Sequence, residues 1–261
     1  MHNPFKQKIA SQTLYGLWLA LADQYSAEVC AGAGFNFLLL DGEHSPIDLR
    51  TILGQLQALA AYDVAPVVRP PTDDPVLIKQ LLDIGANNLL IPMVEGEAQA
   101  RRIVASTRYP PQGFRGVGSG IARAARWGND PDYMLDANDN ICLILQIESV
   151  AGLDALEAIA AVDGVDGIFF GAVDLSASMG LLGQPNHPQV ISAIDDAITK
   201  VRALGKFCGF LSADSAISEH FVEQGAHFAA VGVDTLLLSN AARQLAGQFC
   251  KAGGLVQTAT Y

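Results

Sequence analysis

The sequence alternates along almost its whole length between short apolar runs and longer amphipathic stretches. The apolar runs span four to seven residues and lack strict alternation of polar and apolar positions. This pattern is typical of strands that are buried on both faces of a parallel sheet. We therefore predict strands at Tyr15–Ala20, Phe35–Asp41, Ala65–Arg69, Asn88–Pro92, Ile141–Gln146, Gly167–Phe170, Phe207–Phe210 and Phe228–Gly232.

Signals for the start of a helix separate these runs. Ser45 is placed to cap a helix whose first position is Pro46, and Asp48 completes a capping-box pattern. Pro75 and Pro188 stand at the first position of two further helices. Eight strand–helix units predict an α/β fold, namely a single (β/α)8 TIM barrel closed by eight parallel strands.

The length of the chain matches that of a single barrel of this kind. It has 261 residues, and a typical barrel of this kind needs about 250. Two smaller domains are the alternative, but no run of Pro, Ser or charged residues resembles a linker. We predict one domain over residues 1–261 with an insertion at 107–140, because so long a connection in a barrel often forms a lid or an interface.

Charge and hydropathy narrow the possible partners. The chain has 16 Lys and Arg against 27 Asp and Glu, a formal net charge of −11. An acidic chain without basic tracts repels nucleic acid and anionic membranes, so neither is an expected partner. No apolar run reaches the roughly 18 residues that span a bilayer. Because residues 1–10 also lack a signal-peptide core, we expect a cytoplasmic protein.

Two carboxylates follow neighbouring predicted strands at their carboxyl ends, where barrel enzymes place their chemistry. Glu148 follows the fifth strand, and Asp174 lies in the loop after the sixth. Oxygen ligands from this pair, completed by substrate oxygens and water, suit Mg2+ or Mn2+. Either residue alone could be an ordinary loop cap, but their shared position favours a metal site.

A candidate base and a candidate cation lie at the ends of the second and third strands. His44 stands beside two acids, and Asp41 could orient its ring and stabilise the imidazolium. Arg69 could stabilise negative charge that develops on a substrate. The alternative role for Arg69 is a salt bridge to Asp41 or Glu43, and both roles are compatible.

Two further observations concern the predicted mouth of the barrel. Phe210 ends the seventh predicted strand, so we expect its side chain at the mouth, where it would line the substrate site. The alternative is that it fills the top layer of the core. None of the six lysines lies at the carboxyl end of a predicted strand, which disfavours a Schiff-base enzyme and favours the metal route.

Five segments together resemble the HpcH/HpaI family of class II 2-keto-acid aldolases, and the match spans nearly the whole chain. They are LLLDGEHSP (38–46), PVVRP (66–70), YPPQGFRGVG (109–118), LQIES (145–149) and FFGAVDLSASMG (169–180). The resemblance implies a barrel, usually assembled as a homohexamer, that uses a divalent metal such as Mg2+, Mn2+ or Co2+.

The resemblance also implies roles for individual residues. The family's metal ligands fall on Glu148 and Asp174, its proton acceptor on His44, and its transition-state arginine on Arg69. Substrate contacts fall on Gln146, on Asp174 and on the backbone around Val173. An aspartate that raises the basicity of the histidine falls on Asp83; because Asp83 ends a helix, it would act on a neighbouring subunit. One departure is the loop Gly171-Ala172-Val173-Asp174, which more often reads Gly-Pro-Ala-Asp in the family and bears on pocket shape.

The implied reaction is reversible cleavage of 4-hydroxy-2-oxo acids to pyruvate or hydroxypyruvate plus an aldehyde, through a metal-bound enolate. A malyl- or citramalyl-CoA lyase is the alternative enzyme. It would need a basic patch for the phosphates of CoA, and only Arg101, Arg102, Arg108, Arg115, Arg123 and Arg126 form a cluster in the sequence. A non-catalytic metabolite-binding barrel is the third possibility, although a binding protein needs no base.

Overall fold

Eight parallel strands close into a barrel in which each strand pairs with its neighbours in chain order and β8 returns to β1. The structure is a computed structural model that describes residues 3–250. The strands are β1 (Leu14–Leu19), β2 (Phe37–Asp41), β3 (Ala65–Arg69), β4 (Asn88–Ile91), β5 (Cys142–Ile147), β6 (Gly167–Phe170), β7 (Phe207–Leu211) and β8 (Phe228–Val233). The predicted TIM barrel is confirmed, and each strand lies within two residues of its expected bounds.

Helices cover the outside of the barrel. One of them, α1 (Pro4–Ile9), closes the end at which the strands begin, which we call the lower end. They are α1 (Pro4–Ile9), α2 (Gln24–Ala31), α3 (Leu49–Leu59), α4 (Pro75–Asp83), α5 (Glu97–Thr107), α6 (Tyr133–Asp136), α7 (Val150–Asp154), α8 (Leu156–Ala160), α9 (Ala172–Ser178), α10 (Pro188–Ala203), α11 (Ser215–Glu223) and α12 (Asp234–Phe249). A short 3-10 helix covers Arg126–Gly128. No helix within residues 3–250 has both the length and the apolar character needed to cross a membrane.

Alternation along the strands divides the apolar side chains into two layers. On β2, Phe37 and Leu39 point into the barrel, whereas Leu38 and Leu40 pack outward against the helices. Every residue of β2 is buried, which explains why the sequence shows a continuous apolar run there. The same alternation decides which side chains at the upper strand ends face the interior.

The lower end of the barrel is filled by an aromatic cluster. Phe5 of α1 lies 5.9 Å from Phe37 and 6.0 Å from Phe228, measured between ring centroids, and all three rings meet edge to face. Glycine makes room for two of these rings, because a Cβ on Gly16 or Gly209 would lie 2.5 Å from Phe37 or Phe228. The lower end is therefore a packed core that leaves the opposite end for chemistry.

Helix α3 begins later than the sequence pattern indicated. The predicted cap at Ser45 and first position at Pro46 are wrong, because the helix starts at Leu49 and Asp48 is its N-cap. The Asp48 carboxylate accepts from the backbone N–H of Thr51 at 2.8 Å. Ser45 turns back toward Asp41, with 3.4 Å between its hydroxyl and a carboxylate oxygen, so the segment before Asp48 belongs to the loop that follows β2.

The long connection between α5 and β5 covers the lower side of the barrel, beside the end of α4. Its anchor is Arg115, whose guanidinium is buried and donates to Asp83 at 2.7 Å and to the Tyr133 hydroxyl at 3.1 Å. The same guanidinium lies 4.5 Å from the centroid of the Tyr109 ring. The rest of the connection includes turns around residues 118–125, the 3-10 helix and the short helix α6.

Candidate active site

A cavity of about 420 Å3 opens at the carboxyl ends of the strands. Most of the residues selected from the sequence line it, namely Asp41, His44, Arg69, Gln146, Val173, Asp174 and Phe210. Glu148 lies beside it, buried next to Gln146. The fold thus brings together side chains that are more than 130 residues apart in sequence.

Arg69 is held by two carboxylates and an aromatic ring. Asp41 and Arg69 are register partners on β2 and β3, and one oxygen of Asp41 lies 2.9 Å from Arg69 Nε and 2.8 Å from Nη2. Glu43 Oε2 lies 2.8 Å from Arg69 Nη1 in an electrostatic contact, and the guanidinium stands 4.6 Å from the centroid of Trp18. Both expected salt bridges are present, and they fix the cation at the cavity wall.

The role expected of Asp41 toward His44 needs correction. Burial acts to raise the pKa of Asp41, but hydrogen bonds and charge from Arg69, with the Trp18 indole N–H, bring it below its ordinary value. The carboxylate also accepts from the backbone N–H groups of Glu43 and His44, at 3.0 and 3.4 Å. The prediction that Asp41 orients the His44 ring is wrong, because these donors occupy its oxygens and it contacts only the His44 backbone.

The imidazole of His44 is accessible to solvent at the cavity. Its side chain is 65% exposed, and its Nε2 lies 3.9 Å from Glu43 Oε2. Of the two acids that lie close to His44 in the sequence, Glu43 is therefore the one next to the imidazole. Its side chain is 14% exposed, and burial, with the charges of Asp41 and Asp174, raises its pKa against the opposing effect of Arg69 and His44.

Glu148 is fixed beside the cavity by Met93, in the loop after β4, and by Gln146 on β5. One carboxylate oxygen accepts from the backbone N–H of Met93 at 2.8 Å, and the other accepts from Gln146 Nε2. Gln146 Oε1 is buried with no hydrogen-bond partner. Gly171 leaves room for this pair, because a Cβ there would lie 2.7 Å from Glu148 Oε2 and 3.0 Å from Gln146 Nε2.

The carboxylates around the cavity suit a divalent cation. Burial, with the charges of Glu43 and Asp174, raises the pKa of Glu148 despite the hydrogen bonds that it accepts from Met93 and Gln146. A bound cation would relieve this repulsion. Within residues 3–250, no three His, Cys, Asp or Glu side chains converge on a metal position. A cation held by Glu148 and Asp174 would thus take its other ligands from substrate and water.

Asp174 and Val173 border the cavity from the first turn of α9, and both are exposed. The N-cap of this helix is Gly171, which has no side chain to accept from the first backbone N–H groups. Those groups are therefore suited to the carboxylate of a substrate.

Phe210 lies deeper than expected. Strand β7 continues to Leu211, and Phe210 shares the outward face of the strand with Cys208. Its side chain is 1% exposed, and its ring centroid lies 5.1 Å from that of Phe221 on α11. Phe210 does line the cavity, but it does so from the buried layer between the strands and the helices.

Comparison with known proteins identifies the family of this chain. The model of the family described as HpcH/HpaI aldolase/citrate lyase matches residues 14–241. The chain belongs to this family.

Relatives in the HpcH/HpaI family cover almost the whole chain. A hydroxypyruvate/pyruvate aldolase of Deinococcus radiodurans is 58% identical over 250 residues, covering 95% of this chain and 90% of the relative. A 4-hydroxy-2-oxo-heptane-1,7-dioate aldolase of Salmonella dublin is 54% identical, with 95% of both chains covered. The crystal structure of an HpcH/HpaI family protein from Burkholderia cenocepacia has a TM-score of 0.91 at 38% identity, covering 95% of this chain and 100% of that one. The expected family and the expected aldolase activity are confirmed.

Asp83 lies outside the cavity, as expected for this HpcH/HpaI barrel. It is the last residue of α4, so it lies near the start of β4, at the lower end of the barrel. Its carboxylate accepts from Arg115 of the long connection. Within one subunit it is thus separated from His44 by the length of the barrel.

Two residues that hold the site together were missed in the sequence analysis. Trp18 ends the inward face of β1, donates to Asp41 at 3.1 Å and stacks on Arg69. Met93 donates to Glu148 from a loop backbone. An aromatic residue near the end of a strand was a usable signal for Trp18. A backbone N–H leaves no such signal in a sequence.

Proposed function

We propose that this protein catalyses the reversible cleavage of 4-hydroxy-2-oxo acids into pyruvate or hydroxypyruvate plus an aldehyde. One observation carries the proposal. The imidazole of His44, the guanidinium of Arg69 and the carboxylates of Asp174 and Glu148 all lie in or beside one cavity at the mouth of an HpcH/HpaI barrel. The Deinococcus relative is a hydroxypyruvate/pyruvate aldolase, which supports both donor acids.

We propose Glu148 and Asp174 as the ligands of Mg2+, Mn2+ or Co2+. The raised pKa of Glu148 and the two-carboxylate donor set support this assignment. When bound, such a cation supplies Lewis acidity that polarises the ketone of the substrate. The free N–H groups at the start of α9, around Val173, would receive the substrate carboxylate. Gln146 lines the same cavity, and its unpaired Oε1 could accept a hydrogen bond from substrate.

His44 and Arg69 carry the chemical step of the proposed mechanism. In the cleavage direction, His44 takes the proton of the C4 hydroxyl, directly or through a water. The C4–O bond becomes the carbonyl of the aldehyde as the C3–C4 electron pair moves into the C2–C3 bond. Negative charge then develops on the ketone oxygen, where the Arg69 guanidinium stabilises it. The proton held by His44 finally returns to C3, which completes the keto acid.

A substrate comparison tests this function. With Mn2+ present, we expect the enzyme to release pyruvate from a free 4-hydroxy-2-oxo acid and to leave malyl-CoA and citramalyl-CoA intact. Three of the six arginines in the cluster that CoA would need are already paired with carboxylates: Arg101 with Glu97, Arg102 with Asp73 and Arg115 with Asp83. Faster cleavage of a CoA ester than of the free acid would contradict the proposal, and no turnover of either would favour a binding protein.

We also propose that the protein is a homo-oligomer, most simply a hexamer. Helix α12 is exposed along nearly all of its length, and it carries Leu237, Leu238, Leu245 and Phe249 on the surface. So many apolar side chains on one helix favour contact with another copy of the chain. Asp83 and the segment 107–140 would lie near subunit boundaries, so that Asp83 could approach His44 of a neighbour.

Light scattering coupled to size exclusion is expected to give a mass several times the 27.6 kDa of one chain. Replacement of Leu245 and Phe249 by Ser should lower that mass, whereas Glu219→Ser on exposed α11 should not. An active wild-type monomer would contradict both the assembly and the role of Asp83.

A further inference from the structure

The loop between β4 and α5 contacts Glu148, the proposed metal ligand. The backbone N–H of Met93 donates to Glu148 at 2.8 Å, and that of Val94 donates to the Gln146 carbonyl at 3.1 Å. Glu95 accepts from the Ser149 hydroxyl at 2.7 Å. The loop therefore contacts β5 and the residues that follow it at three successive points, and its conformation determines where the Met93 N–H points.

That conformation is unfavourable for Met93. Its φ is 54°, in the left-handed region that residues with a Cβ rarely adopt. Such a backbone conformation is unfavourable and persists only where the surroundings hold it. Burial of the Met93 side chain offers little compensation, because it is 49% exposed.

Gln99 holds this strained turn through its side-chain amide. Its Nε2 donates to the Met93 carbonyl at 3.1 Å and to Asp73 at 3.2 Å, and its Oε1 accepts from the Glu95 N–H at 2.9 Å. Asp73 is itself paired with Arg102. Since Gln99 is the third residue of α5, one rigid helix turn fixes both ends of the loop.

We propose that Gln99 is a positioning residue for the divalent-cation site, acting through Met93 on Glu148. This inference rests on the proposed function, because it requires Glu148 to be a metal ligand. The amide of Gln99 keeps the Met93 N–H aimed at one oxygen of Glu148, which fixes the direction of the carboxylate. Groups that orient metal ligands in this way typically contribute about 10-fold or more to metal affinity.

Two substitutions separate this role from the bond that Gln99 makes to the Glu95 backbone. Gln99→Glu keeps an oxygen that can accept from Glu95 N–H but removes both donors, so it should break the link to the Met93 carbonyl while preserving the bond to Glu95. Gln99→Ala removes both contacts together. Gln80→Ala, on the exposed face of α4, is a matched control for loss of a glutamine from a helix.

The measurement is the Kd for Mn2+, obtained from the electron paramagnetic resonance signal of the free ion, together with Tm. We expect Gln99→Glu to weaken Mn2+ binding about 10-fold with little change in Tm, and Gln80→Ala to change neither. Adding Met93→Gly to Gln99→Glu should restore part of the affinity, because glycine adopts a positive φ without strain.

An unchanged Kd in Gln99→Glu would overturn the positioning role. A fall in Tm as large as that of Gln99→Ala, with no restoration by Met93→Gly, would also overturn it in favour of a purely structural one. Failure of the wild-type protein to bind Mn2+ at all would instead contradict the proposed metal site, and the positioning role with it.

Discussion

Chelation of divalent metal is expected to abolish aldol cleavage, and added Mg2+, Mn2+ or Co2+ is expected to restore it. The two proposed protein ligands, Glu148 and Asp174, leave most positions of an octahedral ion to substrate and water, so the ion should exchange readily. Among residues 3–250, no lysine that could form a Schiff base lines the cavity. The measurement is pyruvate release before EDTA treatment, after it, and after each metal is returned.

The variant Glu148→Gln tests the proposed ligand directly, because it keeps the shape of the side chain and removes its charge. We expect it to require far more Mn2+ for half-maximal activity, whereas Glu97→Gln on the exposed face of α5 should match the wild type. Full activity in excess EDTA, or a covalent adduct trapped by borohydride, would eliminate the metal route.

His44→Ala is expected to slow cleavage by about 10²–10⁴-fold, the usual effect of losing a positioned base. The protein should still fold, because the side chain is mostly exposed and its nearest acid, Glu43, keeps its contact with Arg69. The rate should be measured both as pyruvate release and as exchange of the C3 protons of pyruvate in deuterium oxide.

The control for His44 is His220→Ala. His220 lies on α11 and pairs with Asp195 at 2.9 Å, outside the cavity lining, so its loss should leave both rates unchanged. If His44→Ala retained near-normal turnover, the proton acceptor would have to be another group.

The fold was predictable because it depends on patterns that repeat. Each strand is a short apolar run, and Pro75 and Pro188 do begin α4 and α10. Helix α1 was missed because it has only six residues, and its only sequence signals are Asn3 at the N-cap and Pro4 at the first position. The start of α3 was misplaced because Ser45 and Asp48 are both good caps, and the choice depended on a tertiary contact of Ser45 with Asp41.

The site was predictable at the level of which residues converge, but not of which residues contact each other. Asp41 follows Phe37 and Leu39 on the inward face of β2, so its arrival in the cavity follows from alternation. Asp41 accepts hydrogen bonds from Arg69 and Trp18 and not from the His44 ring. The sequence alone does not show which of several nearby donors a carboxylate will contact. Phe210 shows the converse: the same alternation, applied from Cys208, would have placed it on the outward face.

The aromatic cluster of Phe5, Phe37 and Phe228 has a consequence for protein engineering. It lies at the opposite end of the barrel from Gln146 and Glu148, and each of its rings is almost fully buried. A library that randomises residues lining the cavity, such as Ile217 on α11, would therefore leave the packing of this cluster intact. Variants selected for new aldehydes should keep most of the parental stability, which makes the barrel a tolerant starting scaffold for directed evolution.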